Sequence, residues 1–129
     1  MIAVDTSALM AIVCNETTAD DCQTVLAENS EVCISAGTLA EALIVATARG
    51  CLEQLRDLAD RLQFTVVDLT EETAERAAAA YARWGKGNHP AGLNFGDCFA
   101  YALAEQQQCP LLFVGNDFAQ TDIIPARPA

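Results

Sequence analysis

Residues 1–10 read MIAVDTSALM, an apolar run that stops on one acid, Asp5, followed at once by the hydroxyl residues Thr6 and Ser7. Ile2, Ala3 and Val4 predict a short strand buried on both faces, because apolar residues follow one another without polar alternation. Thr6 or Ser7 predicts the cap of a following helix whose apolar positions are Leu9, Met10, Ile12 and Val13. Asp5 then stands at the carboxyl end of a strand, the edge at which open α/β sheets bind their ligands. It also has a plain structural reading, since Asp favours helix starts and the helix dipole rewards it there. The choice between the two turns on whether further acids gather at the same edge.

Outward from this stretch, strands and helices alternate. TTADDCQTVLAEN (17–29) predicts a helix opened by Thr17 or Thr18, with Asp20 and Asp21 in its first turn. EVCIS (31–35) is a second strand, and AGTLAEALIVATARG (36–50) a helix so poor in charge that much of its surface is expected to be buried, ending near Gly50. LEQLRDLADRL (52–62) places Leu52, Leu55, Leu58, Ala59 and Leu62 at amphipathic helical spacing, and the strand FTVVD (64–68) follows. Thr70 caps a helix with Glu71 and Glu72 in its first turn and the alanines 77–80 promoting it as far as Gly85. GKGNHPAGLN (85–94) breaks all periodicity and reads as an exposed loop. Asn94 caps the helix NFGDCFAYALAEQQQ, CPLLFVG (109–115) is an apolar strand, and the tail holds a turn or short helix, a last strand at Asp122–Ile124 and a proline-limited end. Such alternation implies parallel pairing through right-handed crossovers: an α/β domain with a central parallel sheet flanked by helices on both faces, formed by residues 1–129 as one unit.

Composition narrows the function. With 129 residues, 52% of them hydrophobic, the chain supports one real core. No apolar run approaches the roughly 18 residues that cross a bilayer, and no signal-peptide pattern opens the chain, so a cytoplasmic protein is expected. The six cysteines are scattered among apolar residues and read as reduced core thiols. His89, the only histidine, has no partner at zinc-ligand spacing. Eighteen acids against seven Lys and Arg give a net charge of −11, which repels nucleic-acid phosphates unless divalent cations or a basic protein partner offset it.

Four acids stand out by position. Asp5 ends the first strand, Glu41 lies one to two turns into the helix after the second, Asp97 falls in the first turn of its helix, and Asp117 follows the last apolar strand. In a parallel sheet the ends of the first, second and last apolar strands share one edge, where Asp5, Glu41 and Asp117 can converge, and Asp97 joins them if its helix starts at that edge. Glu41 is flanked by Leu39, Ala40, Ala42, Leu43 and Ile44, where a lone acid is costly to bury without a partner. Asp97 also suits the helix dipole, and Asp117 suits a turn beside Asn116. Carboxylates gathered without Lys or Arg repel one another until protons or cations neutralise them, and an all-oxygen donor set points to Mg²⁺ or Mn²⁺. Asp20, Asp21, Asp57, Asp60, Glu71, Glu72 and Glu75 fall on solvent faces. Thr6 and Ser7 have two readings, orienting Asp5 or capping the helix. Arg83, Lys86 and His89 form the one basic concentration, read either as a steering site for RNA phosphates or as a solvated loop, while Trp84 reads as a base-stacking ring or as a core or interface anchor.

DTSAL (5–9), TLAEALIV (38–45), HPAGLNFGDCFAYALA (89–104) and LLFVGNDFAQTDI (111–123), in that order, resemble the PIN domain and, within it, the VapC-like ribonuclease toxins of toxin–antitoxin modules. The resemblance spans nearly the whole chain. It implies metal-dependent RNA cleavage, with Asp5, Glu41, Asp97 and Asp117 as catalytic metal ligands, and either Asn116 or Asp117 as the nearer ligand of the last motif. It further implies a homodimer and an antitoxin that inserts a basic inhibitory segment into the acidic site. The alternative is a catalytically silent scaffold of the same fold that binds a protein partner. A receiver domain is disfavoured because no Lys follows Lys86, and a haloacid-type phosphatase because Ser7 stands where a second acid is needed.

Overall fold

Successive side chains of a strand point to opposite faces, and this alternation divides the core in two. In β1 (Ile2–Val4), β2 (Val32–Ser35) and β4 (Leu111–Leu112), the residues Ile2, Val4, Val32, Ile34 and Leu112 enter one apolar cluster. Ala3, Cys33 and Leu111 enter the other. The computed structural model, which describes residues 1–127, covers the first cluster with α1 (Thr6–Val13), α2 (Ala19–Ala27), α3 (Ala36–Ala48) and α4 (Leu52–Leu62). The second lies under α5 (Glu71–Trp84) and α6 (Phe95–Gln107). With β3 (Thr65–Val67), the sheet has the order β3-β2-β1-β4, and every pair is parallel. The carboxyl ends of β1, β2 and β4 therefore share one edge, as the alternation of elements requires. No helix among the described residues is long and apolar enough to cross a membrane.

The local signals act largely as the sequence predicts. Thr70 and Asn94 both form capping boxes, and Gln63 and Gln108 end their helices in the left-handed conformation. All six cysteines are free; five are buried and Cys14 is exposed. Burial pushes the Cys33 thiol up to about 12 and that of Cys98 to about 11, so both stay protonated and inert at neutral pH.

Four expectations are corrected. α3 buries only Thr38, Ala42 and Ala46; Ala40, Ile44 and Ala48, at four-residue spacing, face away, and Ile44 is 69% exposed. Low charge signalled the composition of this helix, whereas its neighbours cover one side only. The loop at 85–94 is not wholly exposed: Ala91 and Leu93 are buried, and Leu93 N donates to Trp84 O at 3.0 Å, returning the chain into the core. The last apolar segment forms a strand only at Leu111–Leu112, since Pro110 has no N–H and Val114 N donates to the Ser7 hydroxyl instead of a strand. Beyond it the predicted strand at Asp122–Ile124 reduces to one bridge, with Leu111 N donating to Ile124 O and Ala126 N to Leu111 O, both at 2.9 Å. The short helix of the tail is a 3-10 turn at Phe118–Gln120, and the proline-limited end at Pro128 and Ala129 lies outside the described residues.

Leu112 is fully buried where β4 meets the first cluster. Leu112→Ala is expected to cost about 2–5 kcal/mol in urea denaturation, and Ile44→Ala under about 0.5 kcal/mol, because only the first leaves a cavity.

Candidate active site

The site starts at the turn from β1 to α1. Asp5, not Thr6 or Ser7, is the cap of α1: its Oδ2 accepts from Ser7 N at 3.0 Å and from Ser7 Oγ at 2.7 Å. The structural reading of Asp5 is thus correct, yet it uses one oxygen only. Oδ1 is buried without a hydrogen-bond partner, in a residue only 3% exposed. Ser7 Oγ also accepts from Val114 N at 3.0 Å, tying the end of β1 to the segment after β4.

Glu41 repeats the pattern from α3. Its Oε1 accepts from Thr6 Oγ1 at 2.7 Å, so Thr6 and Ser7 each hold one acid. Its other side abuts α6: a Cβ on Gly96 would collide with the Glu41 carboxylate. One helix contact away, a Cβ on Gly37 would meet the Phe99 ring at 2.7 Å, so the starts of α3 and α6 close on each other through two glycines. Asp97 is the third residue of α6, and its Oδ2 accepts from Asn94 N at 3.0 Å while Asn94 Oδ1 accepts from Asp97 N at 2.8 Å. Each of these acids is therefore anchored through one oxygen to a nearby donor. The sequence reading missed Gly96. Its signal was a poor helix former in the first turn, next to an acid, which marks a close approach.

The charges interact. Burial raises the Asp97 carboxyl to about 7; the hydrogen bond from Asn94 N works against this, and the charges of Asp5, Asp117 and Glu41 add to it. Asp5 is raised as well, by burial first and by Glu41 in addition, against the hydrogen bonds from Ser7 and Thr6. No Lys or Arg figures among the groups acting on either acid. Among the described residues, no three acids, histidines or cysteines already stand grouped at metal-ligand distance. The donors nevertheless fit a hard dication: they are all carboxylate oxygens, they repel one another, and the buried Asp5 Oδ1 lacks any partner.

The remaining candidates separate. Asp117 is exposed at the start of the 3-10 turn and reaches Asp97 through its charge. Asn116 is exposed, and its carbonyl accepts from Gln120 Nε2 at 3.3 Å. Arg83 pairs with Asp122 at 3.4 Å and lies over the Trp84 ring at 4.4 Å, whereas Lys86 has no carboxylate partner among the described residues. Trp84 is buried, with Nε1 donating to Tyr101 Oη at 3.0 Å, which makes it a core anchor. The acids at 20, 21, 57, 60, 71, 72 and 75 are all exposed.

A parallel sheet of order β3-β2-β1-β4 with acids at the end of β1, in the second turn of α3, in the first turn of α6 and in the segment after β4 defines a class. The family model of the PIN domain matches residues 2–124, and the chain belongs to that family. It is 46% identical over 125 residues to ribonuclease VapC36 of Mycobacterium tuberculosis, covering 93% of this chain and 89% of that protein. Among solved structures it resembles Mycobacterium tuberculosis VapC20, described as a sarcin–ricin loop cleaving toxin, with a TM-score of 0.80 at 20% identity, covering 99% of this chain and 100% of that one. A toxin–antitoxin complex from Klebsiella pneumoniae matches with a TM-score of 0.72 at 18% identity, over 95% of this chain and 93% of that one.

Asp97 binds its proton more tightly folded than unfolded, so from its ordinary value of 3.8 up to about 7 the folded state holds the extra proton and stability declines as pH rises. In EDTA, the melting temperature is expected to fall between these pH values, and Asp97→Asn to flatten that part of the profile. An unchanged slope in the variant would place the titration elsewhere.

Proposed function

We propose that this chain is a divalent-metal-dependent endoribonuclease acting in the cytoplasm as the toxin of a toxin–antitoxin pair. The observation that carries the reading is the set of acids at one sheet edge, each held through one oxygen, with a buried Asp5 oxygen left unpaired. The relatives named as ribonucleases and as parts of toxin–antitoxin complexes support it. Asp5, Glu41 and Asp97, with Asp117 or Asn116 completing the set, would hold Mg²⁺ or Mn²⁺. Bound there, such an ion activates water and stabilises the leaving oxygen of a phosphodiester.

The chain's own residues prepare this chemistry. Ser7 and Thr6 fix the carboxylates of Asp5 and Glu41, so little reorganisation is needed during reaction. Gly96 admits Glu41 against α6, and the capping box fixes Asp97. Arg83 and Lys86 supply positive charge for RNA; Lys86 carries the larger share, because Asp122 already engages Arg83. With a net charge of −11 and no cation among the groups acting on Asp5 and Asp97, the site is complementary to a basic inhibitory segment of an antitoxin. Exposed apolar side chains such as Ile44 and Ile124 are compatible with a homodimer.

Purified protein is expected to cut a labelled single-stranded RNA pool with Mg²⁺ or Mn²⁺ and not with EDTA. Asp5→Asn and Asp97→Asn should each reduce cutting about a hundredfold or more while remaining folded. Added Mg²⁺ should raise the melting temperature of the wild type but not of Asp5→Asn. A folded, antitoxin-free wild type that neither cuts nor gains stability from metal would leave the binding scaffold as the reading. Gly96→Ala should keep the fold, since alanine favours helix, yet lower cleavage about tenfold or more by displacing Glu41; wild-type rates in that variant would remove Gly96 from the site.

A further inference from the structure

Two turns of the chain meet at the edge of the first core cluster, and each carries a thiol. Cys14 closes α1 and Cys51 opens α4. Arg49, in the turn that leads to Cys51, reaches across the junction: its Nη1 donates to Cys14 Sγ at 3.8 Å and pairs with Glu16 at 4.0 Å. We propose that Cys14 and Cys51 are an oxidisable dithiol, which hydrogen peroxide converts to an intramolecular disulfide tying the end of α1 to the start of α4. The inference is independent of the ribonuclease reading and concerns a modification of the chain itself.

The backbone fixes both positions. Cys14 N donates to Met10 O and Cys51 N to Ala46 O, each at 2.9 Å. Cys51 stands where Ser, Thr, Asp or Asn ordinarily caps a helix, yet its side chain caps nothing and joins the first cluster with Ile12 instead. Burial pushes the Cys51 thiol up, the Cys14 thiol beside it adds to this, and the Arg49 charge works against it. The two thiols differ in access, since Cys14 is exposed and Cys51 only 9% exposed. An oxidant in solvent therefore meets Cys14 first, and Cys51 is left to resolve the product. Cys33 and Cys109 also act on each other, but both are buried and Cys33 is pushed up to about 12, so that pair stays reduced.

The chemistry balances in two steps. The Cys14 sulfur attacks one peroxide oxygen and the O–O bond breaks; the thiol proton leaves with the other oxygen as water, and Cys14 becomes a sulfenic acid. The Cys51 sulfur then attacks the Cys14 sulfur and the S–O bond breaks; the Cys51 proton leaves with the hydroxide as a second water. Both thiols are oxidised to one disulfide while one peroxide is reduced to two waters.

The test exposes the reduced, folded full chain to hydrogen peroxide, with and without the sulfenic-acid trap dimedone, then alkylates the remaining thiols and maps the peptides by mass spectrometry. Wild type is expected to show a cross-link between the Cys14 and Cys51 peptides, reversed by dithiothreitol, with Cys33 and Cys109 alkylated as in the untreated protein. Cys51→Ser should form no cross-link and accumulate about tenfold more dimedone adduct at Cys14 than wild type, because nothing resolves the sulfenic acid. Cys14→Ser should leave Cys51 reduced. Equal adduct at Cys14 in wild type and Cys51→Ser would overturn the pair. So would a disulfide from Cys14 to any other cysteine or to a second copy of the chain, or a Cys14 that stays reduced at peroxide concentrations that oxidise free cysteine.

Discussion

The hydrogen bonds from Ser7 to one oxygen of Asp5 are the interaction on which the site depends. They hold a carboxylate at the end of β1 in a place where its second oxygen is buried and unpaired. A buried carboxylate lacking half its partners is costly, and folding tolerates it only because Oδ2 is doubly held. The same Ser7 hydroxyl accepts from Val114 N, so anchoring the acid and joining β1 to the chain after β4 are one event. Capping and the proposed metal binding are not rival explanations of Asp5: the cap occupies one oxygen and leaves the other unpaired.

The neighbouring acids follow one rule. Glu41 is held by Thr6, and Asp97 by the backbone of Asn94. Each anchor comes from the turn of a strand–helix junction or from a helix start, where donors are unsatisfied by the helix itself. Burial first, and the charges of Asp5, Asp117 and Glu41 in addition, raise the proton affinity of Asp97. The metal-free protein thus carries electrostatic strain, which protons relieve at low pH and which a hard cation or a basic peptide is suited to relieve at neutral pH.

The second core cluster claims side chains that the sequence leaves free to act elsewhere. Trp84 turns inward to Tyr101 and Arg83 outward to Asp122, consuming the most obvious aromatic and one of two nearby cations. Phe95, Tyr81 and Lys86 remain at the surface.

Much of this was legible in the linear chain. The apolar runs ending on acids, the caps at Thr70 and Asn94, the strand–helix alternation and the order of the four motifs depend on residues within a few positions of one another, so the sequence by itself determined the parallel α/β class and the identities of Asp5, Glu41, Asp97 and Asp117 as candidates. Contacts between distant residues decided the rest. Which oxygen of Asp5 stays unpaired, why Gly96 must lack a side chain, which face of α3 is covered, and why β4 stops at Leu112 all depend on partners far away in sequence: Thr6 on Glu41, Gly96 against Glu41, Ser7 on Val114. Composition cannot reveal such pairs, because the same Arg83 or Trp84 reads as ligand or as support until Asp122 and Tyr101 are seen to claim it. Tertiary structure alone assigned those partners, since packing fixes each side chain's neighbours only after the sheet order is set.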